Sequence, residues 1–199
     1  FDPSSGRFTH YESTLKTKVV SIAEYSDTEL LLSVFSDRFW LFDRRNGRLR
    51  PLDIDDKHLS YTVRYSSRSV NLVNEAEADI LMFSNRMWRY SCTSGNLTQI
   101  SFPEDRKGNS NLFHIGSTEE GTWFHDAHSI FLLPYGASEL HIKGCTDNVN
   151  IRCGDFSDDG LIWLATEEGI CRFNPKVGFF DFIKTALFPS AGSIACAGS

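Results

Sequence analysis

No apolar run in this chain approaches the roughly 20 residues of a membrane-spanning helix, and no charged-then-apolar leader opens it. The first residue is Phe1 rather than Met, so the chain is expected to be a piece of a longer protein. A basic excess is also missing: 20 Lys and Arg face 26 Asp and Glu, for a formal charge of −6. That balance excludes a broad electrostatic grip on nucleic acid, which needs a basic face. Five cysteines (Cys92, Cys145, Cys153, Cys171, Cys196) are an odd number, and no two are separated by just two residues. A zinc framework or a disulfide-stapled mini-domain is therefore not supported. No capped, helix-period segment of ten residues can be found. Phosphate-cradling glycine runs, a nucleophile elbow and a paired-carboxylate context are absent too.

What the chain does have is apolar and aromatic mass. Of its 199 residues 41% are hydrophobic and 13% aromatic, with sixteen Phe, which is enough to build a packed interior. This mass recurs with a period. The segment from Ser157 to Phe180 reads as a turn (Asp158-Asp159-Gly160), a strand (Leu161 to Leu164), a polar turn, a second strand, another turn and a third strand. Glu29 to Leu49, Asp79 to Leu97 and Thr122 to Leu140 repeat that order. The apolar residue after each last turn (Phe8, Leu49, Leu97, Leu140, Phe180) recurs at intervals of 41, 48, 43 and 40 residues. The longest interval holds the polar stretch 52–68, read as an inserted loop, with an acidic cluster (Asp53, Asp55, Asp56) that lacks the spacing of a calcium loop. A leading strand precedes each unit: Val19 to Ala23, Val70 to Val73, Leu112 to Ile115 and Val149 to Cys153.

Four short strands per repeat of this length match a propeller blade. A blade packs on a neighbour through each face, so its inner strands should be continuously apolar, as in Leu30-Leu31-Leu32 and Ile130-Phe131-Leu132-Leu133. The expected fold is all-β: a β-propeller of four-stranded antiparallel blades over 19–50, 69–102, 111–143 and 149–183. A stray outer strand (7–11) and a stray inner strand (193–197) flank these four blades, as in a segment of a larger propeller. A closed four-bladed ring is the alternative. The four Trp (Trp40, Trp88, Trp123, Trp163) fall in or beside strands, where packing between blades is favoured over sugar stacking.

The last unit resembles a known family. Asp158 and Gly160, Ile162-Trp163-Leu164-Ala165-Thr166, Gly169-Ile170, Phe173-Asn174-Pro175 and Gly178-x-Phe180 are similar to the two-component regulator propeller repeat of Bacteroidetes hybrid two-component sensor histidine kinases. Phe1-Asp2-Pro3-Ser4-Ser5-Gly6-Arg7-Phe8 matches the closing half of that repeat. The other units keep the hydrophobic frame and lose the Trp-x-x-Thr core. The resemblance implies a periplasmic sensor region of an inner-membrane protein that binds an oligosaccharide or other small ligand. It also implies a fragment without catalysis of its own, partnered by the rest of its sensor chain and by a second copy of the parent. No cofactor, no metal and no direct membrane contact are expected. A propeller interaction scaffold, or a propeller lyase or hydrolase, remains as the rival reading.

In a propeller the turns joining second to third strands lie on one face, near the central channel. Here they are Ser36-Asp37-Arg38, Ser84-Asn85-Arg86, Asp126-Ala127-His128 and Thr166-Glu167-Glu168. Arg38, Arg86, Asp126, His128 and Glu168 are the candidate ligand-binding residues, since mixed charges and amides can pair with sugar hydroxyls or anionic groups. Ordinary hairpin turns favour the same residue types for backbone reasons. His125 and His128 are read as solvated turn residues, with no third metal ligand nearby.

Overall fold

The computed structural model describes residues 4–11, 15, 18–34, 39–52, 69–74, 79–83, 87–91, 93–104, 111–146 and 148–183; for 69–74 and 79–83 only the backbone is described. Among these there is no helix, and sixteen strands form four antiparallel four-stranded sheets. Blade 1 holds β1 (Val19–Ser26), β2 (Glu29–Val34), β3 (Phe39–Asp43) and β4 (Leu49–Pro51). Blade 2 holds β5 (Ser69–Asn74), β6 (Asp79–Phe83), β7 (Met87–Ser91) and β8 (Leu97–Ile100). Blade 3 holds β9 (Phe113–Thr118), β10 (Gly121–His125), β11 (Ser129–Pro134) and β12 (His141–Cys145). Blade 4 holds β13 (Ile151–Phe156), β14 (Ile162–Thr166), β15 (Gly169–Asn174) and β16 (Phe179–Ile183).

Each sheet is a plain meander, with every strand paired to its sequence neighbours. Turn chemistry explains the regularity. In the β3–β4 and β7–β8 turns, Gly47 and Gly95 sit at φ +70° and +72°, a left-handed backbone that side chains resist. Their N–H groups donate to Asp43 and Ser91 carbonyls at 2.9 and 2.8 Å, so two repeats close on the same turn.

Alternation along the strands divides each blade into two faces, and both are dry where blades meet. Leu31, Phe39 and Leu41 of blade 1 pack on Trp88 and Tyr90 of blade 2. Met87 and Ile100 of blade 2 pack on Phe124, Phe131 and Leu133 of blade 3. Ile115, Trp123, Ile130 and Leu132 of blade 3 pack on Ile162, Leu164, Cys171 and Phe173 of blade 4. Glycine permits the closest of these approaches: a Cβ at Gly144 would lie 2.7 and 2.8 Å from the rings of Phe180 and Phe173. Inner strands β1, β5, β9 and β13 touch in that order.

Trp88 and Trp123 are interblade packing residues, 7% and 1% exposed. Of the stray outer strand, Arg7 lies in a bridge and 8–11 have no strand assignment. Residues 193–197 lie outside the described residues.

Candidate functional site

The β10–β11 and β14–β15 turns open on one side of blades 3 and 4, and the loop joining β12 to β13 runs between them. Asp126 starts the first turn. Its carboxylate accepts the N–H groups of His128 at 2.9 Å and Ser129 at 2.8 Å, the bond pattern of a side-chain-closed turn. That role accounts for its burial, at 2% exposure. The His128 carbonyl accepts the Thr146 N–H at 2.7 Å, and the Ala127 carbonyl accepts the Ile151 N–H at 2.7 Å. The Asn150 carbonyl accepts the Glu167 N–H at 3.1 Å. These three backbone bonds fasten both turns and the connecting loop into one surface.

A polar cluster stands on it. The Asn150 amide donates to Glu167 Oε2 at 2.6 Å, and the Arg152 guanidinium pairs with Glu167 Oε1. Arg152 and Glu167 keep side-chain exposures of 56% and 42%, so both present charge to solvent. Glu168 is exposed beside them. Planar guanidinium, amide and carboxylate groups held side by side can accept and donate to hydroxyl-rich ligands.

Of the five residues expected from sequence, Asp126, His128 and Glu168 are described and share this side; Arg38 and Arg86 lie outside the described residues. Asn150 and Arg152 were missed. They fall before and within the inner strand β13, and the pairing of β13 with β14 inside blade 4 carries them to the β14–β15 turn. One expectation fails: His125 is not a solvated turn residue but 1% exposed. It stacks on Phe113 with ring centroids 5.2 Å apart, and its Nδ1 lies 2.9 Å from the Asp126 carbonyl. It closes β10 directly after Trp123 and Phe124, where the strand is buried on both faces. Burial holds its pKa below the usual histidine value, against the opposing pull of the Asp126 carbonyl and carboxylate. His114, on inner strand β9, is pushed down to about 4 by burial, with Asp155 opposing. Its Nε2 has no hydrogen-bond partner among the described residues.

Among the described residues no group of three His, Cys, Asp or Glu could hold a metal ion. Two cavities lie away from this surface. One of about 300 Å³ opens on blade 1 (Tyr11, Ile22, Leu30, Phe42 and neighbours), and one of about 260 Å³ opens on blade 4 (Arg172, Phe179, Asp181 and neighbours).

No family model matches the chain, and no curated protein matches it. Solved structures do. The extracellular domain of a putative hybrid two-component system from B. thetaiotaomicron superposes with TM-score 0.70 at 17% identity, over 93% of this chain and 25% of that one. The fold is a β-propeller. PorZ, a surface component of the type-IX secretion system of Porphyromonas gingivalis, shares this propeller fold with TM-score 0.62 at 15% identity, over 89% of this chain and 22% of that one. Regucalcin, a calcium-binding protein from Agrobacterium tumefaciens, shares it more distantly, with TM-score 0.51 and 16% identity over 86% of this chain and 61% of that one. The propeller described here spans about a quarter of the length of the first of these chains. Such different neighbours show that the propeller alone does not assign a function.

Proposed function

We propose that this propeller is the ligand-sensing, extracytoplasmic region of a hybrid two-component signalling protein, and that it has no catalysis of its own. The observation that carries the reading is a coincidence of two independent features. The repeat at Asp158 to Phe180 resembles that of two-component regulator propellers. The structure superposes over 93% of its length on the extracellular domain of a putative hybrid two-component system.

The ligand is an oligosaccharide, held on the surface formed by Asn150, Arg152, Glu167, Glu168 and the Asp126–His128 turn. Arg38 and Arg86 join this surface on sequence position alone. Exposed guanidinium and carboxylate groups beside an amide suit hydroxyl recognition by paired hydrogen bonds. The propeller stands in the periplasm, its parent anchors in the inner membrane, and the remainder of that chain and a second parent copy receive the signal. Ligand shifts the population between two arrangements of the parent, as far as its differential affinity allows.

Isothermal titration of the chain against a panel of oligosaccharides tests this. Binding of at least one oligosaccharide, weakened about tenfold or more by Arg152→Ala and without product by mass spectrometry, is the expected result. Turnover of the sugar, or affinity indifferent to Arg152→Ala and to Arg38→Ala with Arg86→Ala, would overturn the assignment.

A further inference from the structure

The turns of blades 3 and 4 supply hydrogen-bond donors and acceptors unevenly. Arg152 brings the guanidinium of this surface, and it is already paired with Glu167 Oε1. The Asn150 amide donates to the other oxygen of the same carboxylate at 2.6 Å. Both donor groups are thus turned onto Glu167. Glu168, beside it in the β14–β15 turn, is the converse. Its backbone N–H donates to Thr166 Oγ1 at 3.3 Å, while its exposed carboxylate has no partner among the described residues. An ionised carboxylate only accepts, with about four lone-pair sites to fill.

Charge points the same way. The carboxylates of Asp126, Glu167 and Glu168 stand against the single guanidinium of Arg152. Asp126 Oδ1 is taken by the His128 and Ser129 N–H groups, so this buried side chain adds negative charge beneath the surface without reaching a ligand. A ligand carboxylate or sulfate would bring only further acceptors to Glu168. To reach the guanidinium it would have to displace Glu167. Sugar hydroxyls donate as well as accept, and a vicinal diol can set two O–H groups on one carboxylate.

We propose that the blade 3 and blade 4 part of this surface selects oligosaccharides free of carboxylate and sulfate groups, by accepting vicinal hydroxyls on Glu168 and on the remaining lone pairs of Glu167. The inference deepens the sensing role proposed above and rests on it. Glu168 is then the residue that sets ligand charge. Arg152 holds Glu167 in its accepting position and does not grip an anion, so its loss weakens a neutral ligand through Glu167.

Calorimetric titration of the chain with matched pairs provides the test. Gluco-, galacto-, xylo- and manno-oligosaccharides are each set beside a sulfated or uronate oligosaccharide of the same length and linkage. The expected binder is a neutral member, at least about fivefold tighter than its acidic counterpart. Glu168→Gln weakens that neutral member about fivefold, and Glu168→Lys weakens it further while tightening the acidic counterpart relative to wild type. Thermal melts of both variants match wild type, because Glu168 is exposed in a turn. An acidic member that binds wild type as tightly as its neutral partner, or neutral affinity indifferent to both Glu168 variants, overturns this inference and leaves the sensing role standing. Absence of binding by every member, neutral and acidic, overturns the sensing role and this inference with it.

Discussion

Replacing Phe173 by alanine should remove more stability than any surface change on the same blade. Phe173 is fully buried between blades 3 and 4, among Ile162, Leu164 and Trp123, with its ring 4.6 Å from that of Phe180. Transferring such a side chain from water contributes about 1.5–3 kcal/mol. The void left behind adds a cavity cost of about 24 cal/mol per Å³, bringing Phe→Ala losses to about 3–5 kcal/mol. Collapse should be limited here, because the neighbouring position on β12 is Gly144, which has no side chain to fill the hole. A loss of about 4 kcal/mol is therefore expected, or about 8–16 °C in Tm for a domain of this size. Phe179→Ala is the internal control: that side chain is 64% exposed on the opposite face, and its loss should stay within about 0.5 kcal/mol. Urea denaturation followed by tryptophan fluorescence reads both, with Trp123 reporting from the same core. Hydrogen exchange should show the protons of β14 and β15 opening before those of β10 and β11, because among the described residues blade 3 packs on both blade 2 and blade 4, and blade 4 on blade 3. A Phe173→Ala loss below about 1.5 kcal/mol, or equal losses for the two variants, would refute the interblade packing argument.

Acid should destabilise the fold through its buried histidines. In the unfolded chain His114 takes up a proton below about 6.5, while in the folded chain it stays neutral until about pH 4. The unfolded state binds the extra proton over that window, so stability falls as pH drops from 6.5 to about 4, by up to about 3 kcal/mol. His125 adds in the same direction; His114→Gln should flatten the pH profile of urea stability, and a profile parallel to wild type would contradict it. Asp126→Ala should cost about 2 kcal/mol by freeing two turn N–H groups, with Asp126→Asn keeping most of that stability. Thermal melts decide, and an unchanged melt for Asp126→Ala would show that the carboxylate does not hold the turn. Alkylation at pH 8 with mass-spectrometric mapping should label exposed Cys145 and spare Cys171, whose thiol is pushed up to about 12 by burial. Equal labelling of the two would refute the buried assignment.

Strand limits and blade repetition were legible because they depend on covalent neighbours. Of the eight positive-φ glycines, Gly47, Gly95, Gly136, Gly160 and Gly178 stand in turns the sequence had already marked. Apolar runs marked the strands, but which residues share a face, as Leu31 and Leu41 do, is set by cross-strand register, and what lies opposite by blade packing. Asp126 was legible as a turn residue and as a ligand candidate alike. Its two backbone hydrogen bonds, visible only once the hairpin is folded, show what its carboxylate does in this structure.

The sequence by itself determined an all-β chain of four meandering blades, because hairpin turns and short apolar strands are local properties of a few consecutive residues. Tertiary structure alone decided that His125 is dry and which residues of one blade lie against the next, as Trp123 of blade 3 does against Phe156 of blade 4. Those outcomes depend on which blade lies against which, through contacts between residues some 40 positions apart that no local pattern encodes.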